Sequence, residues 1–183
     1  MRREPTWLLN ILRPVTRVED GEAVTALLLT LNVFLLLSAY YIIKPVREAL
    51  ILAMRSGAEY KSYMSGVIAI LLLFAVPAYA KIVDRLPRLK LVVGVTLFFA
   101  ANLLLFTVAA EVPALRERLG LIFYAWVGVF NMMVVAQFWS FANDLYDEEQ
   151  GERLFPMVAL GGSLGAALGS KLSAGLIPLL GLR

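Results

Sequence analysis

The chain has 183 residues, 60% apolar and 17% charged, with a mean hydropathy of +0.77; soluble domains carry about a quarter charged residues, and one small water-exposed globule cannot hide this much apolar surface. With no His and no Cys, it cannot build the usual zinc sites, Cys–His or Ser–His–Asp catalysis, iron–sulfur ligation or disulfides. A net charge of +3 from 17 basic and 14 acidic residues is too evenly mixed to argue for nucleic acid.

The expectation is an all-α, polytopic membrane protein that binds and moves a solute, with no metal, no cofactor and no enzymatic activity. No phosphate-binding loop of the GxxxxGK[ST] type occurs, so ATP hydrolysis is not expected.

The opening segment, residues 1–22, has an apolar run (WLLNIL) too short for a signal peptide and no small-residue cleavage site after it. It reads as an interfacial amphipathic piece, with Trp7, Leu8, Ile11 and Leu12 toward lipid and Arg2, Arg3, Arg13 and Arg17 toward headgroups. Residues 23–183 form the transmembrane region. Crossing a bilayer takes about 20 apolar residues, and five stretches qualify: about 23–54, 62–80, 91–110, 121–145 and 154–180. Short polar connectors separate them. The sequence stops at GLIPLLGLR, where a sixth helix is due, so it reads as an incomplete N-terminal half or a truncated product. Basic residues cluster in the opening segment and, after the second span, at Lys81, Arg85, Arg88 and Lys90. That bias puts the N-terminus in the cytoplasm; a bacterial inner membrane is the expected location.

The first span carries Tyr40, Tyr41, Lys44, Arg47 and Glu48. A charge at bilayer depth costs about 2.5–3.5 kcal/mol on insertion scales, so such a cluster needs a reason. Lys44 and Glu48 share a face and can neutralise each other, whereas Arg47 has no such partner within its helix. Tyr40, Lys44 and Arg47 form a stripe suited to a water-filled cavity for an anion; the alternative is the outer helix end with its charges among headgroups. Pro45 should kink the helix there. The loop holding Asp84, Arg85 and Arg88 is a candidate cytoplasmic gate, able to clamp neighbouring helices, or an ordinary basic loop.

The fourth span offers Asn131 and Gln137 as candidate substrate contacts, with interhelix hydrogen bonding as the other reading for these and for Asn143 and Asp144. In the fifth, Gly161, Gly165 and Gly169 make a small-residue stripe for close helix packing. Lys171, near its far end, either snorkels outward or faces the same cavity as Lys44 and Arg47.

The stretches YYIIKPVREALIL, RSGAEYKSYM, FWSFANDLYDEEQGERLFP and LGGSLGAALGSKL resemble the ATP/ADP translocases, the nucleotide-exchange transporters of plastids, obligate intracellular bacteria and free-living bacterial relatives. The loop AKIVDRLPRLK is similar to the helix 2–3 loop of the major facilitator superfamily, with Ala80 and Pro87 where that motif prefers glycine. The resemblance implies a twelve-helix carrier whose later helices are missing from this chain. It also implies alternating-access exchange or gradient-driven transport of a nucleotide or related organic anion, with basic residues at Arg47, next to Lys44, and at Lys171. Val127 stands where the exchangers carry a glutamate, so an anionic solute is a firmer implication than ATP for ADP. A carrier of a non-nucleotide solute and a non-transporting membrane scaffold are the alternatives.

Overall fold

The computed structural model describes residues 16–19, 21–83 and 85–179, so most of the opening amphipathic segment lies outside the described residues. Their regular secondary structure is all helical: α1 Ala23–Leu52, α2 Gly57–Val83, α3 Arg88–Ala110, α4 Pro113–Leu145 and α5 Glu148–Leu179. Among the described residues, four helices contain stretches long and apolar enough to cross a bilayer: Ala23–Leu52, Gly57–Val83, Lys90–Ala110 and Arg118–Leu145. The expected five becomes four, because α5, although 32 residues long, gives its middle turns to Gly, Ala and Ser. Apolar bulk is replaced there by backbone approach.

Helices α2 to α5 also begin earlier than the apolar stretches. Hydrophobicity marks where a lipid slab would lie, while helix formation continues into polar sequence until a cap or a proline ends it. Pro113 opens α4, where its missing N–H costs nothing. Asp147 caps α5: the Gln150 N–H donates to Asp147 Oδ1 at 2.9 Å, and the Asp147 N–H donates to Gln150 Oε1 at 3.3 Å, a reciprocal capping box. Glu148 and Glu149 in the first turn face the positive end of the helix. Helix α1 runs on through Pro45, which cannot donate to the Tyr41 carbonyl one turn earlier.

The chain divides into two compact units. The first joins residues up to Ile43 with Phe138–Leu179, so α1 pairs with α5. Adding a Cβ at Gly161 would place it 2.8 Å from the Thr30 carbonyl oxygen, at Gly165 2.9 Å from Phe34 Cα, and at Gly169 2.5 Å from the Ser38 carbonyl oxygen. Ser38 Oγ donates to the Gly165 carbonyl at 3.1 Å, and Ser173 Oγ to that of Ile42 at 3.3 Å. Both series climb by four, so α1 and α5 run parallel and in register, as small residues permit. Gly161, Gly165 and Gly169 all lie at this close approach. Around it lies a core that includes Ala26, Leu29, Val33, Phe138, Ala142, Leu154 and Val158.

The second unit takes in Lys44–Gln137. Its centre is aromatic: Trp126 stacks on Phe130 with ring centroids 5.4 Å apart, and Phe99 meets Phe130 edge-on at 4.9 Å. A Cβ at Gly128 would sit 2.9 Å from Ile68 Cγ1, so α4 and α2 touch there. By contrast, Ile70, Leu73 and Phe74 on α2 and Leu104, Leu105 and Val108 on α3 are 60–70% exposed. Each forgoes about 1.5–3 kcal/mol if left in water. Lipid suits these faces.

Candidate functional site

The charge cluster of α1 lies at its C-terminal end, within the second unit. Arg47 Nη2 stands 2.7 Å from Glu48 Oε1, and Lys61 Nζ, on α2, stands 2.7 Å from Glu48 Oε2. The turn between α1 and α2 is short, and Glu48 and Lys61 lie equally far from its centre, so the reversal of the chain brings them level. The Arg47 guanidinium carbon sits 4.4 Å from the centroid of the Tyr124 ring, within the range of a cation–π contact. Tyr124 is 3% exposed and the Arg47 side chain 11%, so this cation is held inside the unit. Lys61 is 46% exposed and gives the cluster its opening to the outside.

Arg47 therefore does have a partner in its own helix, the adjacent Glu48, contrary to the expectation from helical spacing. The i, i+4 rule ranks pairs by backbone position, and two long side chains on neighbouring residues can still meet. Two cations around one carboxylate leave a formal surplus of one positive charge, with half-buried Lys44 one turn away. Lys61 and Tyr124 were not legible as site residues; the symmetric spacing of Glu48 and Lys61 about the turn was the available signal.

The other candidates are distributed as follows. Tyr40 and Tyr41 belong to the first unit and meet edge-on at 5.3 Å; Tyr40 is buried, and Tyr41 lies against Gly169. Lys171 is exposed on α5. Gln137 is buried, and its Nε2 has no hydrogen-bond partner among the described residues. Asn131 is half-buried and Arg85 exposed. Asp84 and the side chain of Arg88 lie outside the described residues, and with them the gate. A hollow of about 700 Å³ lies in the first unit where α4 meets α5, and its lining does not include Lys44, Arg47 or Lys171.

A second polar cluster, absent from the sequence reading, ties together the N-terminal ends of α1 and α5. Glu22 is 8% exposed. Arg153 grips it with both fork nitrogens, Nη2 to Oε1 at 3.0 Å and Nη1 to Oε2 at 3.1 Å. Gln150 Nε2 donates to Oε1 at 3.0 Å, and the Glu19 backbone N–H donates to Oε2 at 3.0 Å. Arg153 also donates to the Arg17 carbonyl at 2.9 Å, and Thr16 Oγ1 donates to the carbonyl of Arg153. The chain enters this network through Gly21, whose φ of +100° suits only glycine. Burial pushes the Glu22 carboxyl up, but the donors from Arg153, Glu19 and Gln150 outweigh it and hold the group below its ordinary value. Burial, reinforced by the Glu22 charge, pushes the Tyr146 phenol up to about 12. Bidentate pairs of this kind fix geometry as well as charge.

Comparison with known proteins gives no match to a family model, a curated sequence or a solved structure.

Proposed function

We propose that the chain is an integral membrane component of a carrier for an organic anion, with a nucleotide as the leading candidate solute. The observation that carries this reading is the cationic surplus at Arg47, Glu48 and Lys61, set among helices apolar enough for lipid. The motifs resembling the ATP/ADP translocases support the same solute class.

The chemistry is an exchange of anions. An incoming phosphate or carboxylate displaces Glu48 first from Lys61, the exposed member, and then shares Arg47, whose guanidinium is steadied by the Tyr124 ring. Glu48 serves as a resident counter-ion that keeps the empty site from holding a bare charge in a half-buried place, which would be costly. Alternating access moves the loaded site from one side of the bilayer to the other. The N-terminus, on this reading, is cytoplasmic.

One observation favours the non-transporting scaffold instead: Glu48 already partners both cations, as a purely structural clamp requires. Binding of labelled ADP to vesicles carrying the chain separates the two. The carrier predicts saturable binding that weakens at least tenfold in Arg47→Gln, whereas the scaffold predicts no binding above that of empty vesicles.

A further inference from the structure

We propose that anion binding at Arg47 and Lys61 is coupled to the uptake of one proton by Glu48. The coupling rests on the anion-carrier reading and assigns the proton as the solute's companion. Glu48 gives its two carboxylate oxygens to separate cations, Oε1 to Arg47 Nη2 and Oε2 to Lys61 Nζ, each at 2.7 Å. An anion that binds both cations therefore takes both of these ion pairs. The Glu48 side chain is only 24% exposed and belongs to a helix apolar enough for lipid, so water does not replace what it loses.

Arg47 has capacity for a second partner. Its Nη2 is occupied by Glu48, but its Nε is buried and has no hydrogen-bond partner among the described residues. A guanidinium donates in a planar fork that matches the oxygens of a phosphate or carboxylate. An anion seated there stands beside Glu48, two like charges sharing two cations. Close like charges disfavour the ionised form of one of them, and a half-buried carboxylate without its partners is neutralised rather than kept charged. The proton comes from bulk water and bonds to a Glu48 carboxylate oxygen; no other bond forms or breaks. The neutral carboxyl then donates a hydrogen bond to the anion.

The charges lead to the same step. Arg47, Lys61 and Glu48 together carry one net positive charge. A dianionic phosphate group reverses it to one net negative charge, whereas the same group with a protonated Glu48 leaves the site neutral, the state least costly at bilayer depth. Among the described residues, Glu48 is faced by Arg47 on its own helix and by Lys61 on α2, with Tyr124 of α4 against the Arg47 guanidinium. Lys44, one turn earlier on α1, shares the face of Glu48. Transfer of Glu48 to Lys44 is the competing outcome, and it takes up no proton.

The test is calorimetric titration of the full chain in lipid nanodiscs with ADP at pH 8, once in Tris and once in triethanolamine. These cationic buffers do not compete for an anion site and differ in ionisation enthalpy, so the difference in heat counts the protons exchanged. The second ionisation of a phosphate monoester lies at about 6, so ADP is already ionised and any proton taken up belongs to the protein. About one proton per bound ADP is expected for the native chain and none for Glu48→Gln, which still binds. Native affinity should also fall by up to about tenfold as the pH rises from 7.5 to 8.5, and that of Glu48→Gln should not. Native binding without proton uptake, or equal uptake in Glu48→Gln, overturns the coupling and leaves the anion site standing. Absence of saturable ADP binding in both forms overturns the anion site and the coupling with it.

Discussion

Two glycines on one helix should respond in opposite directions to the same substitution. Gly165 lies against Phe34, where an added Cβ would come within 2.9 Å of Cα, whereas at Gly175 an added Cβ meets nothing within 4 Å. Alanine at an unobstructed helix interior gains about 1 kcal/mol over glycine, so Gly175→Ala should raise the melting temperature by about 2–4 °C for a chain of this size. Gly165→Ala gains the same term. It then loses about 1–3 kcal/mol by forcing α1 and α5 apart, and about 1 kcal/mol with the Ser38–Gly165 hydrogen bond. The net is a loss of about 2 kcal/mol, a fall of roughly 4–8 °C. Circular dichroism melts of both variants in the same detergent give the comparison. Shifts of the same sign in both would refute the close parallel packing of α1 on α5.

The Glu22 network should register in acid. Because its carboxyl is held below the ordinary value, its ionised form stabilises the fold above a pH of about 4.3, and that contribution is lost as pH falls through the lower folded value. The melting-temperature gap between the native chain and Glu22→Gln should therefore be constant near neutrality and close on acidification below about pH 4; a gap that widens in acid would contradict the assignment. In the aromatic centre, Phe99→Ala should cost about 3–5 kcal/mol, because Phe99 is buried against Phe130 and Trp126. Its exposed neighbour Phe98 should lose less than about 1 kcal/mol on the same change in detergent, and equal losses would place the core elsewhere.

Much of the architecture is written in local sequence. Apolar runs of bilayer length locate α1 to α4, and the four-residue repeat of Gly161, Gly165 and Gly169 announces a tight helix contact. The sequence does not reveal that Thr30, Phe34 and Ser38 receive those glycines, since periodicity marks the small face and leaves its neighbour unnamed. The starts of α2 to α5 precede their apolar runs for a related reason: Pro113 and Asp147, for example, begin helices in polar sequence that hydropathy passes over. The charged pairs divide by sequence distance. Arg47 stands out in the sequence as an intramembrane cation, and its partner Glu48 is the adjacent residue. Glu22 and Arg153 lie 131 positions apart, and no spacing rule joins them. Lys61 was hidden as an ordinary charge near a helix start, although its distance from the 53–56 turn matches that of Glu48.

The equilibrium affinity of ADP for the full chain in lipid nanodiscs, compared across native, Arg47→Gln and Glu48→Gln forms, bears most directly on the cationic site. If Glu48 is the counter-ion that an incoming anion displaces, Glu48→Gln should bind about tenfold more tightly and Arg47→Gln about tenfold more weakly, opposite shifts of about 1.4 kcal/mol each. Equal affinities in all three forms, or weaker binding in both variants, would contradict an anion site built on Arg47 and Lys61.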